Sequence, residues 1–288
     1  MERWTELRAA YHVAKLGTVS AASRALGTHR ATINRHIDVL ESELGSRIFI
    51  RNAKGYVLTE FGEEFVKIAG KADELFQDLA GRAKGSDGDI QGELKLTTVL
   101  PLSNLLMASI ATFRQKNANC KVTVTTTEDL ERLEYGEAHI ALRAGLKPEH
   151  PDYVVQSLGT VSLNLYGSQS YLSRFEAPPS AEELEQLAFV MPPDNARGLA
   201  IWAWIKARVP EPKIAIEAND PMVIKEAVFA GLGLGVLSEI DAAESGELFA
   251  VLPTQEDWKI PLWLVTHVDL HRTAKVQEML ALLKESRG

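Results

Sequence analysis

Apolar residues at helical spacing predict three helices in the first 44 residues. They cover residues 2–15, Ala21–Leu26 with Ser20 as N-cap, and about Arg30–Leu44. A tight turn at Gly27–Thr28 separates the second helix from the third. Four apolar residues of the third helix form one stripe that would face inward: Ile33, Ile37, Leu40 and Leu44. This order of elements is that of a helix-turn-helix.

Two short runs of strand-forming residues follow and predict a hairpin. Residues Arg47–Arg51 and Tyr56–Thr59 are typical of strands, and Asn52–Gly55 between them has the composition of a turn. The hairpin would be the wing of a winged helix-turn-helix. Thr59 can then cap a further helix that runs to about Lys84.

This further helix carries a row of apolar residues that are alternately four and three positions apart, which is the spacing of a coiled coil. The row consists of Phe61, Phe65, Ile68, Ala72, Leu75 and Leu79. It predicts a dimerisation seam, and the alternative is that the row packs on its own domain. The segment Gly85–Asp89 that follows has the composition of a flexible hinge.

From Gly92 onward, strands alternate with helices, which is typical of an α/β fold with mainly parallel sheets. We predict strands at Glu93–Val99, Lys121–Thr127, His139–Leu142, Lys213–Glu217, Gly233–Leu237 and Leu262–Thr266. We predict helices at Leu102–Phe113, Glu128–Tyr135, Leu184–Phe189, Gly198–Arg208, Pro221–Phe229 and Thr273–Lys284.

Charge is distributed unevenly along the chain. Residues 1–62 hold nine Lys and Arg against six Asp and Glu, whereas the remaining residues hold 22 against 33. The net formal charges of the two parts are therefore +3 and −11. A mildly basic N-terminal part, called the head below, suits a module that contacts phosphate groups. The acidic remainder, called the body, would keep the protein in solution.

The single cysteine, Cys120, cannot form an internal disulfide, which fits a reducing cytoplasm. The chain has no run of 18 apolar residues, and its first residues lack the apolar core of a signal peptide. We therefore expect a cytoplasmic protein without membrane contact. A redox-sensor role for Cys120 is an alternative, which would require an exposed thiolate and usually a partner cysteine.

The sequence lacks the common signatures of catalysis. There is no Gly-x-Ser-x-Gly elbow, no His-Glu-x-x-His and no phosphate-binding loop. His267 and His271 are four residues apart but have no third ligand nearby, so no metal site is predicted. We expect no enzyme, no catalytic residue and no cofactor other than a small-molecule effector of unknown identity. The alternative interpretation of the C-terminal part is a solute-binding protein. Salt-dependent binding to a dyad-symmetric DNA site would exclude this alternative.

Four motifs stand in order over about 45 residues of the head: Gly17–Leu26, Ile37–Gly45, Ile48–Arg51 and Leu58–Gly62. They resemble the helix-turn-helix opening and the three motifs that follow it in the LysR family of bacterial transcriptional regulators. Ser23 stands where the family has its second alanine. In the body, Leu133–Gly145 and Gly231–Leu237 resemble stretches of the same family, with His139 in place of the usual Asp. Another helix-turn-helix family with a different sensor remains an alternative.

The resemblance implies an α/β protein with an N-terminal winged helix-turn-helix, a linker helix and a C-terminal effector domain of two α/β lobes, like a periplasmic binding protein. The expected domains are residues 1–60 for DNA binding, 61–87 for the linker or dimerisation helix and hinge, and 88–288 for effector binding. Lobe I would comprise 88–161 and 266–288, and lobe II 162–265. The chain would cross between the lobes near Thr160–Val161 and Val265–Thr266.

With the apolar stripe of the third helix facing inward, Ala31, Asn34, Arg35 and Asp38 point outward, with Arg30 and Thr32 on the flanks. The base-contacting positions of the resembling family correspond to Arg30, Ala31, Asn34 and Arg35. Arginine favours guanine and asparagine favours adenine. The alternative for Arg30 and Arg35 is a solvated helix surface.

Phosphate contacts are expected on either side of this helix. His29 either caps the helix or touches a phosphate. In the wing, Arg51 and Lys54 are candidate phosphate contacts that would position the module without reading sequence. Their alternative is an exposed strand end and turn tip.

The resemblance also places the effector between the lobes, where strand ends and helix N-termini converge. The candidates are Thr98, Pro101, Leu102, Ser103, Thr126, Thr127 and Arg143 in the first lobe and Asp194, Asn195, Arg197, Asn219 and Asp220 in the second. Arg143 and Arg197 suggest an organic anion such as a carboxylate. Either arginine could instead belong to a structural salt bridge, with Asp194 and Asp220 as balancing charges.

The expected partners are double-stranded DNA with a dyad-symmetric site, the small-molecule effector, and a second copy of the chain. The family implies a tetramer, and RNA polymerase would be a further partner at the promoter. The expected mechanism is an equilibrium between two oligomer shapes that the effector biases.

Overall fold

The computed structural model describes residues 3–52, 55–83, 90–127, 133, 137–176, 179, 181–196, 198–209 and 211–287. Its helices are α1 Trp4–Leu16, α2 Val19–Leu26, α3 Arg30–Leu44, α4 Glu60–Ala83, α5 Asn104–Lys116, α6 Gln169–Leu172, α7 Ala200–Arg208, α8 Pro221–Phe229, α9 Glu239–Ser245, α10 Val268–His271 and α11 Ala274–Glu285. Its strands are β1 Phe49–Asn52, β2 Gly55–Leu58, β3 Gly92–Thr98, β4 Cys120–Thr126, β5 Ile140–Ala144, β6 Tyr153–Ser168, β7 Ala188–Met191, β8 Lys213–Glu217, β9 Leu234–Ser238, β10 Leu248–Ala250 and β11 Lys259–His267. Across this part of the chain, no helix is long and apolar enough to span a membrane.

The head is formed by α1, α2 and α3, the hairpin of β1 and β2, and the first turns of α4. The hairpin is antiparallel, with Phe49 opposite Leu58 and Asn52 opposite Gly55. One core joins all of these elements, and its buried members include Ala10, Val13, Ala22, Ile33, Ile37, Leu40, Ile48, Phe49 and Phe65. The predicted winged helix-turn-helix is therefore confirmed.

The second helix begins two residues earlier than the sequence pattern predicted. Its N-cap is Thr18, whose Oγ1 accepts a hydrogen bond from the backbone N–H of Ala21 at 3.1 Å. Thr18 has the extended backbone that an N-cap requires, whereas Ser20 lies inside the helix. The assignment of Ser20 as the cap was wrong.

The join between the wing and α4 depends on a cap and a glycine. Thr59 Oγ1 accepts a hydrogen bond from the backbone N–H of Gly62 at 2.9 Å, so it caps α4 as predicted. A Cβ atom on residue 62 would lie only 2.1 Å from the carbonyl oxygen of Ile48. Glycine is therefore required here to let α4 pack closely against the start of β1.

The apolar row of α4 does not form one continuous exposed seam. Phe65 is buried and Phe61 is half-buried, and both pack in the core of the head. Ile68 and Leu75 are exposed, at 57% and 38%. The prediction that the whole row forms a dimer interface was thus wrong for Phe61 and Phe65, because equal spacing cannot distinguish a core of the same chain from a partner's surface.

The C-terminal part of the chain, the expected effector domain, is built on a sheet with the strand order β4-β3-β5-β11-β6-β9-β7-β8, and β10 pairs with the end of β6. Strand β3 is parallel to β4 and β5, and β7 is parallel to β8 and β9. Strands β6 and β11 are antiparallel to each other. The 16-residue β6 joins the two halves of the sheet, because it pairs with β11 up to Ser162 and with β9 from Leu163.

Each lobe has its own core. In lobe I the sheet packs on α5 and α11, and in lobe II the strands pack on α7 at one face and on α8 at the other. Leu262 and Leu264 lie in the core of lobe I, whereas Trp258 lies in a core of lobe II. The chain therefore returns to lobe I between residues 258 and 262. The predicted return near Val265–Thr266 was too late, since β11 already pairs with β5 from Leu262.

Two of the predicted helices do not appear in the structure as expected. The helix predicted at Leu184–Phe189 was wrong: Leu184–Gln186 is a single 3-10 turn, and Phe189 lies in β7. Phe189 pairs with Ile214 and Leu234 on the two neighbouring strands, and this long-range pairing overrides the local preference. The helix predicted at Glu128–Tyr135 lies, apart from Leu133, outside the described residues.

Candidate DNA interface and effector cleft

The N-terminal end of α3 faces away from the core of the head. Of the predicted base-contacting residues, Arg30, Ala31 and Arg35 are exposed, and Thr32 and Asn34 are half-buried. Neither Arg30 nor Arg35 has an ion-pair partner within the described part of the chain. Two uncompensated guanidinium groups therefore stand at the end of the helix that enters the major groove in this motif.

His29 precedes α3 as its N-cap residue in backbone terms. Its side chain is exposed and makes no capping hydrogen bond. The capping alternative was therefore wrong, and the phosphate contact is the alternative that stays open.

Arg51 ties the wing to α3. It forms an ion pair with Asp38, its Nη2 lies 3.9 Å from a carboxylate oxygen of Glu41, and its guanidinium carbon lies 5.4 Å from the centroid of the Tyr56 ring. The side chain is 41% exposed. Arg51 thus has a positional role in holding the wing. Lys54, the other predicted phosphate contact, lies outside the described residues.

Two further contacts connect the wing to α3. Glu41 Oε1 accepts hydrogen bonds from the backbone N–H groups of Ile48 and Phe49 at 2.8 and 3.0 Å, which fixes the start of β1. Tyr56 Oη donates a hydrogen bond to Asn34 Oδ1 at 2.9 Å. Tyr56 was not among the predicted site residues, because periodicity gives the face of a strand but not the partner of its side chain.

One face of α4 is apolar and exposed. Ile68, Leu75 and Phe76 stand on it, and the ring of Phe76 packs against Trp4 of α1 with centroids 4.8 Å apart. Trp4 is itself 48% exposed. Exposed apolar residues clustered in this way typically mark an interaction surface. The side chain of Leu79 lies outside the described part of the helix.

In lobe I, several of the predicted effector residues meet at the carboxyl ends of β3 and β4. Thr98 and Thr126 are paired across the two strands, and the backbone N–H of Thr127 donates to the carbonyl oxygen of Thr98 at 2.9 Å. Thr98 is fully buried, and its Oγ1 has no hydrogen-bond partner among the described residues.

The turn that leads into α5 contains Ser103, another of the polar residues predicted to bind the effector. Ser103 is half-buried, and its hydroxyl donates to the carbonyl oxygen of Leu100 at 2.7 Å. Pro101 is half-buried in the same turn. Leu102 lies in the core of lobe I, so its assignment to the effector site was wrong. A leucine in a tight turn gives no sequence signal of which side it faces.

Arg143 is buried in β5. It donates from Nη2 to Thr97 Oγ1 and from Nη1 to the carbonyl oxygen of Leu142, each at 3.1 Å. The guanidinium is thus hydrogen-bonded within lobe I. Two of its donors are therefore used within lobe I, and the anion contact predicted for Arg143 stays a prediction.

In lobe II, the predicted residues follow the carboxyl ends of β7 and β8. Asp194 and Asn195 are exposed on a 3-10 turn after β7, and Asn219 and Asp220 are exposed after β8. Asp220 caps α8, since its Oδ1 accepts a hydrogen bond from the backbone N–H of Met222 at 2.8 Å. Arg197 lies outside the described residues.

Lysines of α4 connect the linker helix to lobe I. Lys67 Nζ lies 2.8 Å from Glu137 Oε1. Lys71 pairs with Asp269 at the start of α10, and its Nζ lies 3.4 Å from His267 Nδ1. The hydrogen bond from Lys71 holds the pKa of Asp269 below its usual value. These contacts were not predicted, because the partners lie far apart in sequence, by nearly 200 positions for Lys71, and share no local pattern.

Cys120 is fully buried in the core of lobe I. Burial raises the pKa of its thiol. A buried thiol that stays protonated is a poor nucleophile, so the structure gives no support to a redox-sensor role.

Comparisons with known proteins agree with this architecture. Residues 4–63 match the model of the bacterial regulatory helix-turn-helix protein, lysR family, and residues 87–288 match the model of the LysR substrate binding domain. The HTH-type transcriptional regulator BbuR of Bordetella bronchiseptica is 28% identical over 278 residues, which cover 92% of this chain and 84% of the relative.

Solved structures share the fold over the whole chain. A full-length OxyR variant from Pseudomonas aeruginosa has a TM-score of 0.64 at 18% identity and covers 99% of this chain and 94% of its own. Full-length CbnR complexed with its target DNA has a TM-score of 0.55 at 20% identity and covers 99% of this chain and 100% of its own. Since the substrate-binding model alone matches more than half of the residues, the chain belongs to the LysR family of DNA-binding transcriptional regulators with an effector-binding domain.

Proposed function

We propose that the protein binds a dyad-symmetric DNA site as a dimer and that a small-molecule effector in the cleft between its lobes changes this binding. The observation that carries the DNA part is the pair of exposed arginines without ion-pair partners at the start of α3, Arg30 and Arg35. Because the chain as a whole is acidic, exposed arginines without ion-pair partners are available to bind a polyanion such as DNA. CbnR, which shares the fold, was solved with its target DNA.

Base edges would be contacted by Arg30, Ala31, Asn34 and Arg35, with Thr32 on the flank. Arginine side chains bind the major-groove edge of guanine through two hydrogen bonds. His29 and Lys54 would contact phosphates, which sets the position of the module without reading sequence. Because Arg51 is paired with Asp38, its main contribution is to hold the wing in place.

A second copy of the chain would pack on the exposed apolar face of α4, around Ile68, Ala72 and Leu75. Phe76 and Trp4 extend this face. A dimer doubles the number of contacted base pairs and imposes its two-fold symmetry on the site. We further propose a tetramer as the working form, with RNA polymerase as its partner at the promoter and no catalytic activity of its own.

The effector would lie between the strand ends of the two lobes. Thr98, Ser103, Thr126 and Thr127 offer hydroxyl groups on one side, and the buried Oγ1 of Thr98 has no hydrogen-bond partner among the described residues. Buried polar atoms in native proteins are nearly always satisfied, so an effector atom or a water is expected there. On the other side, Asn195 and Asn219 would complete the site.

The effector domain would act on the head through α4. The contacts of Lys67 with Glu137 and of Lys71 with Asp269 connect the linker helix to lobe I. An effector that closes the cleft would bias the arrangement of the dimers and thereby the bend of the DNA.

Sequencing the fragments of the source genome that the purified protein retains tests the DNA part. We expect a short dyad-symmetric motif, and we expect the double variant Arg30→Ala/Arg35→Ala to lose it. The matched control is Lys116→Ala/Lys206→Ala, which removes the same charge from exposed positions of the effector domain. The proposal fails if the wild type enriches no motif at low salt with cell extract supplied as a source of effector, or if the control loses the motif equally.

A further inference from the structure

The wing places a tyrosine hydroxyl on the helix that would read the bases. Tyr56 Oη donates to Asn34 Oδ1 at 2.9 Å. The Tyr56 ring packs edge-on against the buried ring of Phe49, with centroids 5.2 Å apart. Its face lies 5.4 Å from the guanidinium carbon of Arg51, which is itself held by Asp38. These contacts fix the hydroxyl relative to α3.

The hydrogen bond determines which atom Asn34 offers to DNA. The planar side-chain amide carries its oxygen acceptor and its nitrogen donor on two separate arms of Cγ. With Oδ1 directed at Tyr56, Nδ2 is directed away from the wing. This nitrogen has no acceptor among the described residues. The group left to meet a base is therefore a donor.

A donor-only asparagine recognises a different base from a free one. Free asparagine binds adenine with both atoms, accepting from N6 and donating to N7. Oδ1 has a second lone pair, but Tyr56 holds this oxygen on the side of the wing, so the group that Asn34 turns toward a base is the donating Nδ2. The neighbouring Arg30 and Arg35 also present donors alone. Guanine offers two acceptors in the major groove, N7 and O6, and adenine offers only one.

We propose that Tyr56 is a specificity-determining positioning residue, whose hydroxyl makes Asn34 a hydrogen-bond donor that selects guanine over adenine at one position of each half-site. Residue type alone predicts adenine for Asn34. The wing thus influences which base is preferred at a position that the wing itself does not contact. The inference rests on the proposal above that the start of α3 contacts base edges.

Selection from a pool of randomised duplexes, followed by sequencing, tests this inference on the full-length protein. In the wild type we expect guanine at the position that Asn34→Ala relaxes. The variant Tyr56→Phe keeps the ring and frees Oδ1, so we expect the preference at this position to shift toward adenine. The expected change in the ratio of guanine to adenine is roughly tenfold, toward the low end of what a good two-bond contact provides, because Asn34 offers the base only its donor.

Two controls separate base selection from loss of the fold. Val57→Ala changes an exposed residue of the same strand, and its base preferences should match those of the wild type. In the Asn34→Ala background, Tyr56→Phe should have no further effect, because the two residues act through one hydrogen bond. Affinity for random-sequence DNA should be the same in Tyr56→Phe and in the wild type.

A second variant, Asn34→Asp, changes the group that residue 34 presents to the base. Asn34→Asp can still accept from Tyr56 with one oxygen, but it presents an acceptor to the base. We expect its preference to move from guanine to cytosine, whose N4 amino group donates in the major groove. This outcome would support the geometry even if Tyr56→Phe lowered the stability of the wing.

The results that would overturn the inference are distinct from those that would overturn base reading by α3. If Asn34→Ala changes the motif and Tyr56→Phe leaves it unchanged, Tyr56 has no part in specificity. Adenine at this position in the wild type would also overturn the inference. If neither Asn34→Ala nor Arg30→Ala alters the motif, α3 does not read the bases and both proposals fail.

Discussion

The head and the effector domain use their arginines in opposite ways. Arg30 and Arg35 are exposed and have no ion-pair partner in the described part of the chain. Arg143 is buried and donates two hydrogen bonds within lobe I. An exposed, uncompensated cation is free to bind a polyanion, whereas a buried, bonded one is committed to the fold. The difference indicates which cations serve a partner and which serve stability.

Exposed apolar side chains occur in both regions, and Leu146 and Phe249 are two of those in the effector domain. On α4, Ile68, Leu75 and Phe76 are exposed within three turns of one helix. If this part of α4 is the dimer interface, acidic substitutions there will disturb assembly more than equivalent substitutions on the effector domain.

The largest expected effect is on assembly. In Ile68→Glu/Leu75→Glu, two carboxylates would be buried in the dimer interface, so we expect the dissociation constant of the dimer to rise at least ~100-fold. Analytical ultracentrifugation over a concentration series measures this. The control is Leu146→Glu/Phe249→Glu, which makes the same change at exposed positions of the effector domain. Equal weakening of the dimer by both pairs would remove α4 as the interface.

An intermediate effect is expected at the buried arginine. In Thr97→Val the guanidinium of Arg143 loses an acceptor without a change in side-chain shape. We expect the free energy of unfolding to fall by about 1–3 kcal/mol, because a buried donor is left unsatisfied. Urea unfolding followed by tryptophan fluorescence measures this.

The matched control for this variant is Thr126→Val at an exposed position of the neighbouring strand, for which we expect a change within about 0.5 kcal/mol. If the free energy of unfolding changed as little in Thr97→Val, the hydrogen bond from Arg143 to Thr97 would not contribute to stability. The contrast between the buried Arg143 and the exposed Arg30 and Arg35 would then be weaker.

The smallest effect is expected at the contact of α4 with lobe I. The pKa of Asp269 is lowered by its hydrogen bond from Lys71. Its carboxylate therefore contributes stability above its unfolded pKa, and this contribution is lost as the pH falls through the lowered folded value. Because Asp269 is half exposed, solvent screening limits the contribution to about 1 kcal/mol or less.

The measurement compares the free energy of unfolding of Asp269→Asn with that of the wild type from neutral to acid pH. We expect a small difference at pH 7 that disappears on acidification and shrinks with added salt. Asp257→Asn, at an exposed position without an ion-pair partner among the described residues, is the control. A difference that persists or grows at low pH would contradict the ion pair.

The head could be predicted from the sequence more fully than the effector site, for a physical reason. Helical periodicity gives the outward face of α3 directly, because the buried Ile33 and Ile37 determine it locally. The direction of a side chain at a strand end depends instead on topology. Leu102 was therefore assigned to the cleft, although it is buried in the core of lobe I.

Other errors also arose from long-range structure. Strand β6 was not predicted, because its exposed and buried positions follow no single period along 16 residues that serve two lobes. Phe61 and Phe65 fit a coiled-coil spacing but pack in the head. The contacts of Lys67 and Lys71 with lobe I and of Tyr56 with Asn34 depend on residues distant in sequence.

The most direct test of the central claim is the affinity of the full-length protein for its selected site and for a random-sequence duplex, measured over a range of salt concentrations. For Arg30→Ala/Arg35→Ala we predict a loss of at least ~100-fold on the selected site, since each base contact discriminates by about 1–3 kcal/mol. On the random duplex we predict a loss of less than about tenfold, because phosphate contacts dominate there. Equal losses on both duplexes, or no loss on either, would contradict the claim that these exposed arginines read the bases.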